Sequence, residues 1–336
     1  MHDAAGFFLS VNYVKNNDNI MPTVSVIMNC LNCSKYLKEA IDSVFAQTYQ
    51  DWEIIFFDDN SSDNSLEIAK SYGKNVKCFR SDQTYSLGQA RNLAIEKSSG
   101  KYLAFLDCDD KWLPAKLQKQ VNEFEKDESV GIVCSNAFLF NKNGEDFPHP
   151  DYLKTIPPQG LVFGELLKNY FLCLPTVAIR KEVLLSIGEW FDKRFSQIEE
   201  VDVFLRIAKN WKVAYIPEVL AKYRIHRDSW TYTHMSKSPE EKELLIEKFS
   251  KLYPNFKEDY KDEVAALQNQ ISYERFYDLW SKGQAKKARA YFKPYLKFNK
   301  KLLPYIFSYV MPSSIFYSLV RIAIKIRLIN KPAEFR

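Results

Sequence analysis

The sequence predicts an α/β domain followed by a helical region. Three observations carry this. Short apolar runs alternate with helical patterns of about ten residues over the first hundred positions. Several of those runs end in acidic clusters, and beyond about residue 236 the apolar period is helical throughout. Such alternation indicates βαβ units around a parallel sheet. The chain divides into an N-terminal extension (1–22), an α/β domain (23–235) and a helical, basic and amphipathic C-terminal region (236–336).

Residues 24–28 form the first apolar run and stop at Asn29-Cys30-Leu31-Asn32. Tyr36, Leu37, Ile41, Val44 and Phe45 then recur at helical spacing over 34–47. A second strand, 52–57, runs into Asp58-Asp59, and a helix over 65–72 stops at Gly73. A third strand covers 76–79, and a helix over 87–97 leads to Gly100. The stretch after Gly100 is a buried strand that ends in three carboxylates, Asp107, Asp109 and Asp110. Beyond it the pattern gives a helix over 112–126, strands at 130–135 and 137–140, and a turn at Asn143-Gly144. A loop region marked by Pro148, Pro150, Pro157 and Pro158 follows. A strand at 176–179, helices at 181–187 and 201–209, and strands at 213–216 and 219–225 complete the domain.

Apolar content of 46% with 26% charged residues is ordinary for a globular chain of 336 residues. The formal charge of +5 is unevenly spread. Residues 281–336 hold 13 Lys/Arg and the single acid Glu334, a net +12 against −7 for the rest. That asymmetry suggests a region that meets phosphate. The six cysteines lie in apolar surroundings, and the lone C-x-x-C at Cys30 and Cys33 has no partner pair to complete a zinc site, so all six are expected as reduced thiols of a cytoplasmic protein. The N-terminus lacks a basic segment followed by an apolar one, so no signal peptide is expected. No apolar run reaches the ~18 residues of a spanning helix.

Three acids within four residues repel one another, and a hard divalent ion bound by carboxylates and substrate phosphates relieves them. Carboxyl ends of strands are also where open α/β sheets bind ligands. The same acids also suit a solvated turn that caps a helix starting near Leu113-Pro114. Asp58-Asp59 and Glu199-Glu200-Val201-Asp202 are further acidic clusters, which fit ribose or base recognition and general-base catalysis, or plain turn and helix-start roles. Neither G-x-G-x-x-G nor G-x-x-x-x-G-K-[ST] occurs, which argues against a hydride enzyme or P-loop NTPase.

Six segments, VSVIMNCLN (24–32), IDSVFAQTYQDWEIIFFDDNSSD (41–63), ARNLAI (90–95), SGKYLAFLDCDDKW (99–112), IEEVDVFLRIA (198–208) and YRIH (223–226), resemble in order the inverting family 2 glycosyltransferases of bacterial surface-polysaccharide type. The resemblance covers 23 to about 230 and implies the GT-A fold, a Rossmann-like nucleotide-diphospho-sugar transferase domain with a mixed central sheet. It implies that Asp59, Asn29 and Leu31 bind the nucleobase and that Arg91 faces the diphosphate. Asp107, Asp109 and Asp110 match the DxD-type region that binds ribose and metal, with Asp109 and Asp110 as metal ligands and His226 as a further one. Glu200 falls at the position of the catalytic base, where the family usually carries Asp. Glu199, Asp202, Arg206 and Trp230 fall where acceptor-binding or positioning residues are expected, although Arg206 is also placed to pair with Asp202 on its own helix.

The cofactor so implied is Mn²⁺ or Mg²⁺, and the activity is transfer of one hexosyl or N-acetylhexosaminyl unit from a nucleotide-sugar, a UDP-sugar being favoured. The acceptor is a hydroxyl of a saccharide or lipid-linked saccharide, in lipopolysaccharide or related surface-glycan synthesis. A nucleotidyltransferase or a catalytically silent nucleotide-sugar-binding scaffold are the alternatives. In the C-terminal region Arg321, Lys325 and Arg327 group on one side of a helical pattern and Ile315, Leu319, Ile322 and Ile326 on another. With Lys282, Lys286, Lys287, Arg289 and Lys293 they predict that residues 281–331 lie on an anionic membrane at the cytoplasmic face of the inner membrane, or pack on the domain itself. No nucleic-acid-binding motif accompanies the charge.

Overall fold

A computed structural model describes residues 21–298, together with 304, 306, 308–316 and 318. The N-terminal extension up to residue 20 and the basic pattern from 319 onward lie outside the described residues.

The chain begins as β1 (Val24–Cys30), α1 (Ser34–Phe45), β2 (Trp52–Asp58), α2 (Ser65–Lys70), β3 (Val76–Arg80), α3 (Leu87–Glu96) and β4 (Tyr102–Phe105). The four strands pair in parallel in the order β3-β2-β1-β4, as expected of successive βαβ units. Period-two alternation sends Ile27, Ile55, Phe57, Leu103 and Phe105 to one face. Val26, Met28, Ile54, Phe56 and Ala104 go to the other. Apolar side chains of β1, β2 and β4 are thus buried on both faces, as in a parallel sheet covered on both sides. Gly100 permits a close crossing: a Cβ there would lie 2.5 Å from the Ser25 backbone nitrogen. Its own N–H donates to Ser25 Oγ at 2.8 Å, and Ser25 Oγ donates to the buried Glu53 at 2.6 Å.

The second half differs from the sequence pattern in several places. Trp112 is not helical: β5 (Lys111–Trp112) intervenes, and the helix α4 (Lys116–Lys126) starts only after Pro114. The reason is tertiary, because Trp112 pairs with Ala221 and its indole N–H donates to Pro175 O at 2.8 Å. The two strands expected at 130–140 are one, β6 (Val130–Asn141), whose register shifts at Asn136. There the Asn136 side-chain oxygen takes the N–H groups of Ala137 and Leu153, both at 2.9 Å. The proline-marked stretch is partly a strand, β7 (Asp146–Asp151), on an edge that pairs only with β6. An edge tolerates Pro148 and Pro150, whose missing N–H groups cost no ladder bond.

The rest of the domain is α5 (Phe163–Lys168), β8 (Ala178–Arg180), α6 (Lys181–Ser186), α7 (Glu199–Ala208) and β9 (Lys212–Ile225). Strand β9 runs unbroken through Pro217 where two strands were expected. The full order, β3-β2-β1-β4-β8-β6-β9-β5, makes a mixed sheet, because β8 is antiparallel to both β4 and β6.

The C-terminal helices are α8 (Trp230–His234), α9 (Ser238–Leu252), α10 (Phe256–Asp259), α11 (Lys261–Ser281) and α12 (Ala285–Phe292). Leu245, Ile246 and Phe249 of α9, Phe256, and Val264, Leu267 and Ile271 of α11 are buried in the same core as Ile27 and Phe105. Residues 238–271 therefore pack on the sheet domain. The end of α11 and α12 build a smaller core from Phe276, Trp280, Ala288, Phe292 and Phe316.

Candidate active site

A cleft of about 900 Å³ opens along the carboxyl ends of the parallel strands. Its walls include Asn29, Leu31, Asp59, Arg91, Asp107, Asp109, Glu199, Glu200, His226 and Trp230. Ten positions from both ends of the domain thus converge on one space.

On the side of β1 and β2, Asp59 is buried and accepts from the Tyr85 N–H at 3.1 Å and from Ser81 Oγ at 3.1 Å. Burial, with the Asp58 charge adding, raises its pKa. Asn29 and Leu31 flank it, and Leu31 is exposed to the cleft. The adjoining C-x-x-C corrects an expectation: Cys30 and Cys33 are joined as a disulfide, with Cα atoms 5.8 Å apart. The turn between them, with Asn32 at φ 56°, brings the two sulfurs together. The Cys108 sulfur lies within 4.8 Å of both, and its thiol donates to Asn29 O at 3.2 Å.

After β4 the acids separate by direction. Asp109 Oδ2 meets His226 Nε2 at 2.8 Å, which brings together residues 117 positions apart. Asp107 Oδ1 lies 3.3 Å from Arg91, whose guanidinium also bonds Glu199. The guanidinium is buried, which opposes its charge, but Glu199 and Asp107 outweigh this and raise its pKa. Loss of water in the cleft raises Asp107 to about 6, with Asp109 and Glu199 adding and Arg91 opposing.

Asp110 does not share this wall. It is buried, its Oδ1 accepts the Arg224 N–H at 2.7 Å, and its carboxylate joins the turn to β9. Contrary to expectation it does not line the cleft with Asp109, and its Oδ2 is buried with no hydrogen-bond partner among the described residues.

Glu199 and Glu200 open α7 and behave differently. Glu199 is buried against Arg91, while Glu200 lines the cleft without an ion-pair partner among the described residues. Desolvation raises Glu200 to about 8, with Glu199 adding and Arg91 opposing. Asp202 and Arg206 are structural rather than acceptor-facing. Asp202 is buried and bonded to Arg206 at 2.7 Å and to Lys248 of α9 at 2.9 Å, and neither residue lines the cleft. The i, i+4 pairing within α7 accounts for them. Trp230 does line the cleft; its ring stacks on His234 and its N–H donates to Ser196 O.

Arg224 lies within the YRIH segment (223–226), but the sequence assigned it no role. Its guanidinium lies over the rings of Tyr36 and Phe140 at 4.1 and 4.2 Å, and Nε donates to Asp109 O at 2.7 Å. It fixes the turn that presents Asp109. Tyr152, Tyr170 and Tyr223 also line the cleft, and the buried Tyr170 hydroxyl has no hydrogen-bond partner.

The residues present fit a divalent cation. Asp109, 2.8 Å from the His226 imidazole, and Asp107 on the same cleft wall offer the hard oxygen and nitrogen donors a divalent cation takes, and the three ligand atoms are not yet gathered within 4.8 Å of one another.

Residues 25–188 match the model of glycosyl transferase family 2. A Methanocaldococcus jannaschii protein described as an uncharacterized glycosyltransferase, MJ1057, is 31% identical over 62% of this chain and 73% of its own length. The Escherichia coli protein WfgD, a UDP-Glc:alpha-D-GlcNAc-diphosphoundecaprenol beta-1,3-glucosyltransferase, is 29% identical over 61% of this chain and 78% of its own. Among solved structures, S. aureus TarS (1–349) superposes with a TM-score of 0.61 at 18% identity, covering 80% of each chain. TarS has also been solved with UDP and with UDP-GlcNAc. These matches give no support to a nucleotidyltransferase. On the match over 25–188, the order of the acidic segments and the shared fold, the chain belongs to glycosyl transferase family 2 and has the GT-A fold.

Proposed function

We propose that this enzyme transfers one hexosyl or N-acetylhexosaminyl unit, with inversion, from a UDP-sugar to a hydroxyl of a lipid-linked saccharide during surface-polysaccharide synthesis. One observation carries the chemistry: Glu200 stands in the same cleft as Asp107 and Asp109 with no ion-pair partner among the described residues and a pKa raised to about 8. A general base works best when its pKa lies near the operating pH. WfgD, by its name, uses a UDP-sugar and a lipid-diphosphate-linked acceptor, which supports the substrate classes.

In this reading the nucleobase and ribose lie against Asn29, Leu31 and Asp59, and Arg91 orients the diphosphate while holding Glu199 in place. Asp107, Asp109 and His226 would hold Mn²⁺ or Mg²⁺, which supplies positive charge for the leaving diphosphate. Glu200 takes the proton of the acceptor hydroxyl as its oxygen attacks the anomeric carbon from the face opposite the nucleotide. Walls that exclude water strengthen each of these charges. Trp230, Tyr152, Tyr170 and Tyr223 offer ring faces and hydroxyls to the acceptor sugar.

Among the described residues no helix is long and apolar enough to cross a membrane. The exposed Ile306, Val310 and Ile315, near the exposed lysines 286, 287 and 293, support a peripheral seat on an anionic cytoplasmic surface. Co-sedimentation with phosphatidylglycerol vesicles but not phosphatidylcholine vesicles is the expected result.

The deciding experiment is calorimetry and turnover with UDP-, GDP-, CMP- and dTDP-sugars, with Mn²⁺ and with EDTA, on wild type and Glu200→Gln. Mn²⁺-dependent binding of a UDP-sugar, retained in Glu200→Gln while turnover falls at least a hundredfold, is expected. Equal turnover in Glu200→Gln would remove the base assignment, and binding without turnover in wild type would leave a binding protein.

A further inference from the structure

Helix α7 begins without a capping side chain of its own; its N-cap position is Ile198. The segment just before it, Ser196-Gln197-Ile198, is held from outside by one residue of α9. Glu241, 7% exposed, receives the Ser196 N–H at 3.0 Å and the Ser196 hydroxyl at 2.8 Å on Oε1. On Oε2 it receives the N–H groups of Gln197 at 2.8 Å and Ile198 at 3.1 Å. Both carboxylate oxygens are thus used on three consecutive residues that end one position before Glu199 and two before Glu200. The Trp230 indole donates to Ser196 O, so the segment is gripped on its carbonyl side as well.

We propose that Glu241 is a positioning residue that sets the direction in which Glu200 enters the cleft. The inference rests on Glu200 being the base. Hydrogen bonds from N–H groups to an ionised carboxylate are shorter and stronger than neutral ones, and two oxygens shared among four donors fix a plane as well as a distance. A base one methylene longer than Asp has an extra rotatable bond, so its carboxylate depends more on where the helix start is placed. Gln197, Ile198, Glu199 and Glu200 line the cleft in sequence, and Lys242, the neighbour of Glu241, lines it from α9. The clamp therefore lies beside the acceptor side of the site, while the nucleotide side is built by β1, β2 and β4.

The test measures nucleotide release from whichever member of the UDP-, GDP-, CMP- and dTDP-sugar panel wild type turns over with Mn²⁺. Wild type, Glu241→Ala, Glu241→Gln, Glu200→Gln and both double variants with Glu200→Gln are compared. Glu241→Ala is expected to lower kcat tenfold or more with donor KM within twofold, and Glu241→Gln, which keeps one acceptor oxygen, to restore most of that loss. In the Glu200→Gln background neither substitution should lower the residual rate further, because the clamp acts through that carboxylate. Losses that multiply in the double variants, or a donor KM that moves with kcat, would overturn the positioning role while leaving the base assignment intact. If Glu241→Ala does not fold, the Glu241→Gln pair decides by the same criterion. An unaltered kcat in Glu200→Gln would instead strike out the base, and turnover of no donor would strike out the reaction; either takes the positioning role with it.

Discussion

Arg91→Met removes the one guanidinium that bonds two of the cleft carboxylates, and the structure fixes both the size and the pH dependence of the result. The arginine is buried and bonds Glu199 and Asp107. Methionine replaces its apolar stem but leaves a buried Glu199 without its partner. Breaking a buried pair by removing one member costs about 3–5 kcal/mol, because a charge is left uncompensated. The upper part of that range is expected at pH 8, since Asp107 and Glu200 also lose a cation that opposes their raised pKa values. The sign with pH follows from linkage. Carboxyls whose folded pKa is raised above the unfolded one bind more protons in the native state, so their destabilising effect is present at high pH and fades as pH falls through the folded values. Asp107 near 6 and Glu200 near 8 place that window between about pH 8 and 5. Urea unfolding at pH 8.0 and 5.5, with m unchanged, should give a loss at least about 1.5 kcal/mol smaller at the lower pH, the equivalent of one pKa unit. An equal loss at both pH values would show that Arg91 acts by packing alone.

Further outcomes follow from the same geometry. Turnover at low donor should rise with pH about tenfold per unit and level off near 8, as Glu200 must lose its proton to act; a flat profile between pH 6 and 9 contradicts this. Asp109→Asn should abolish Mn²⁺-dependent nucleotide binding in calorimetry, whereas Asp110→Asn should leave it within threefold and lower the melting temperature, because Asp110 bonds β9 rather than facing the cleft. Gly100→Ala should destabilise by about 2 kcal/mol or more in chemical denaturation, as its Cβ would lie 2.5 Å from backbone that cannot move without shifting β1; wild-type stability would mean the crossing is loose.

The first half of the domain was legible because β1, β2 and β4 are short buried apolar runs separated by amphipathic helical patterns, so the two periods stand apart in the sequence. The second half was less so. Trp112 continues a helical pattern in sequence, yet pairing with Ala221 makes it a strand, and no local signal encodes that partner. Helix α5 was missed inside the stretch that the sequence marked by its prolines as a loop region. In the site, Asp59, Asp107, Asp109, Glu199, Glu200 and His226 were each named from sequence and share one cleft. Asp110, Asp202 and Arg206 were named because they lie in segments that carry the family resemblance, and membership of a segment does not set which side chains line the cleft. Arg224, though inside the YRIH segment, and Glu241 were assigned no role, because what they do is bond backbone groups more than 40 positions away. The C-x-x-C was recognised as a pair, but bond formation depends on the turn at Asn32, which spacing alone does not give.

The C-terminal helices belong to the enzyme rather than hang from it, and truncation tests this. Ending the chain at residue 237 removes seven buried apolar side chains of the main core: Leu245, Ile246, Phe249, Phe256, Val264, Leu267 and Ile271. At about 1.5–3 kcal/mol each for full burial, their loss is worth roughly 10–20 kcal/mol, which matches or exceeds the 5–15 kcal/mol that holds a typical domain folded. The same cut leaves Asp202 without Lys248 and strips the helix start of Glu241. Ending instead at residue 283 keeps α9–α11 and removes only the part of the smaller core supplied by α12 and Phe316. A chain of 1–283 is therefore expected to be soluble, to melt cooperatively and to bind nucleotide, and a chain of 1–237 to aggregate. A cooperatively folded 1–237 chain would mean that the sheet supports the base without the helices packed against it, and the division of labour between nucleotide-binding strands and base-holding helices would then be wrong.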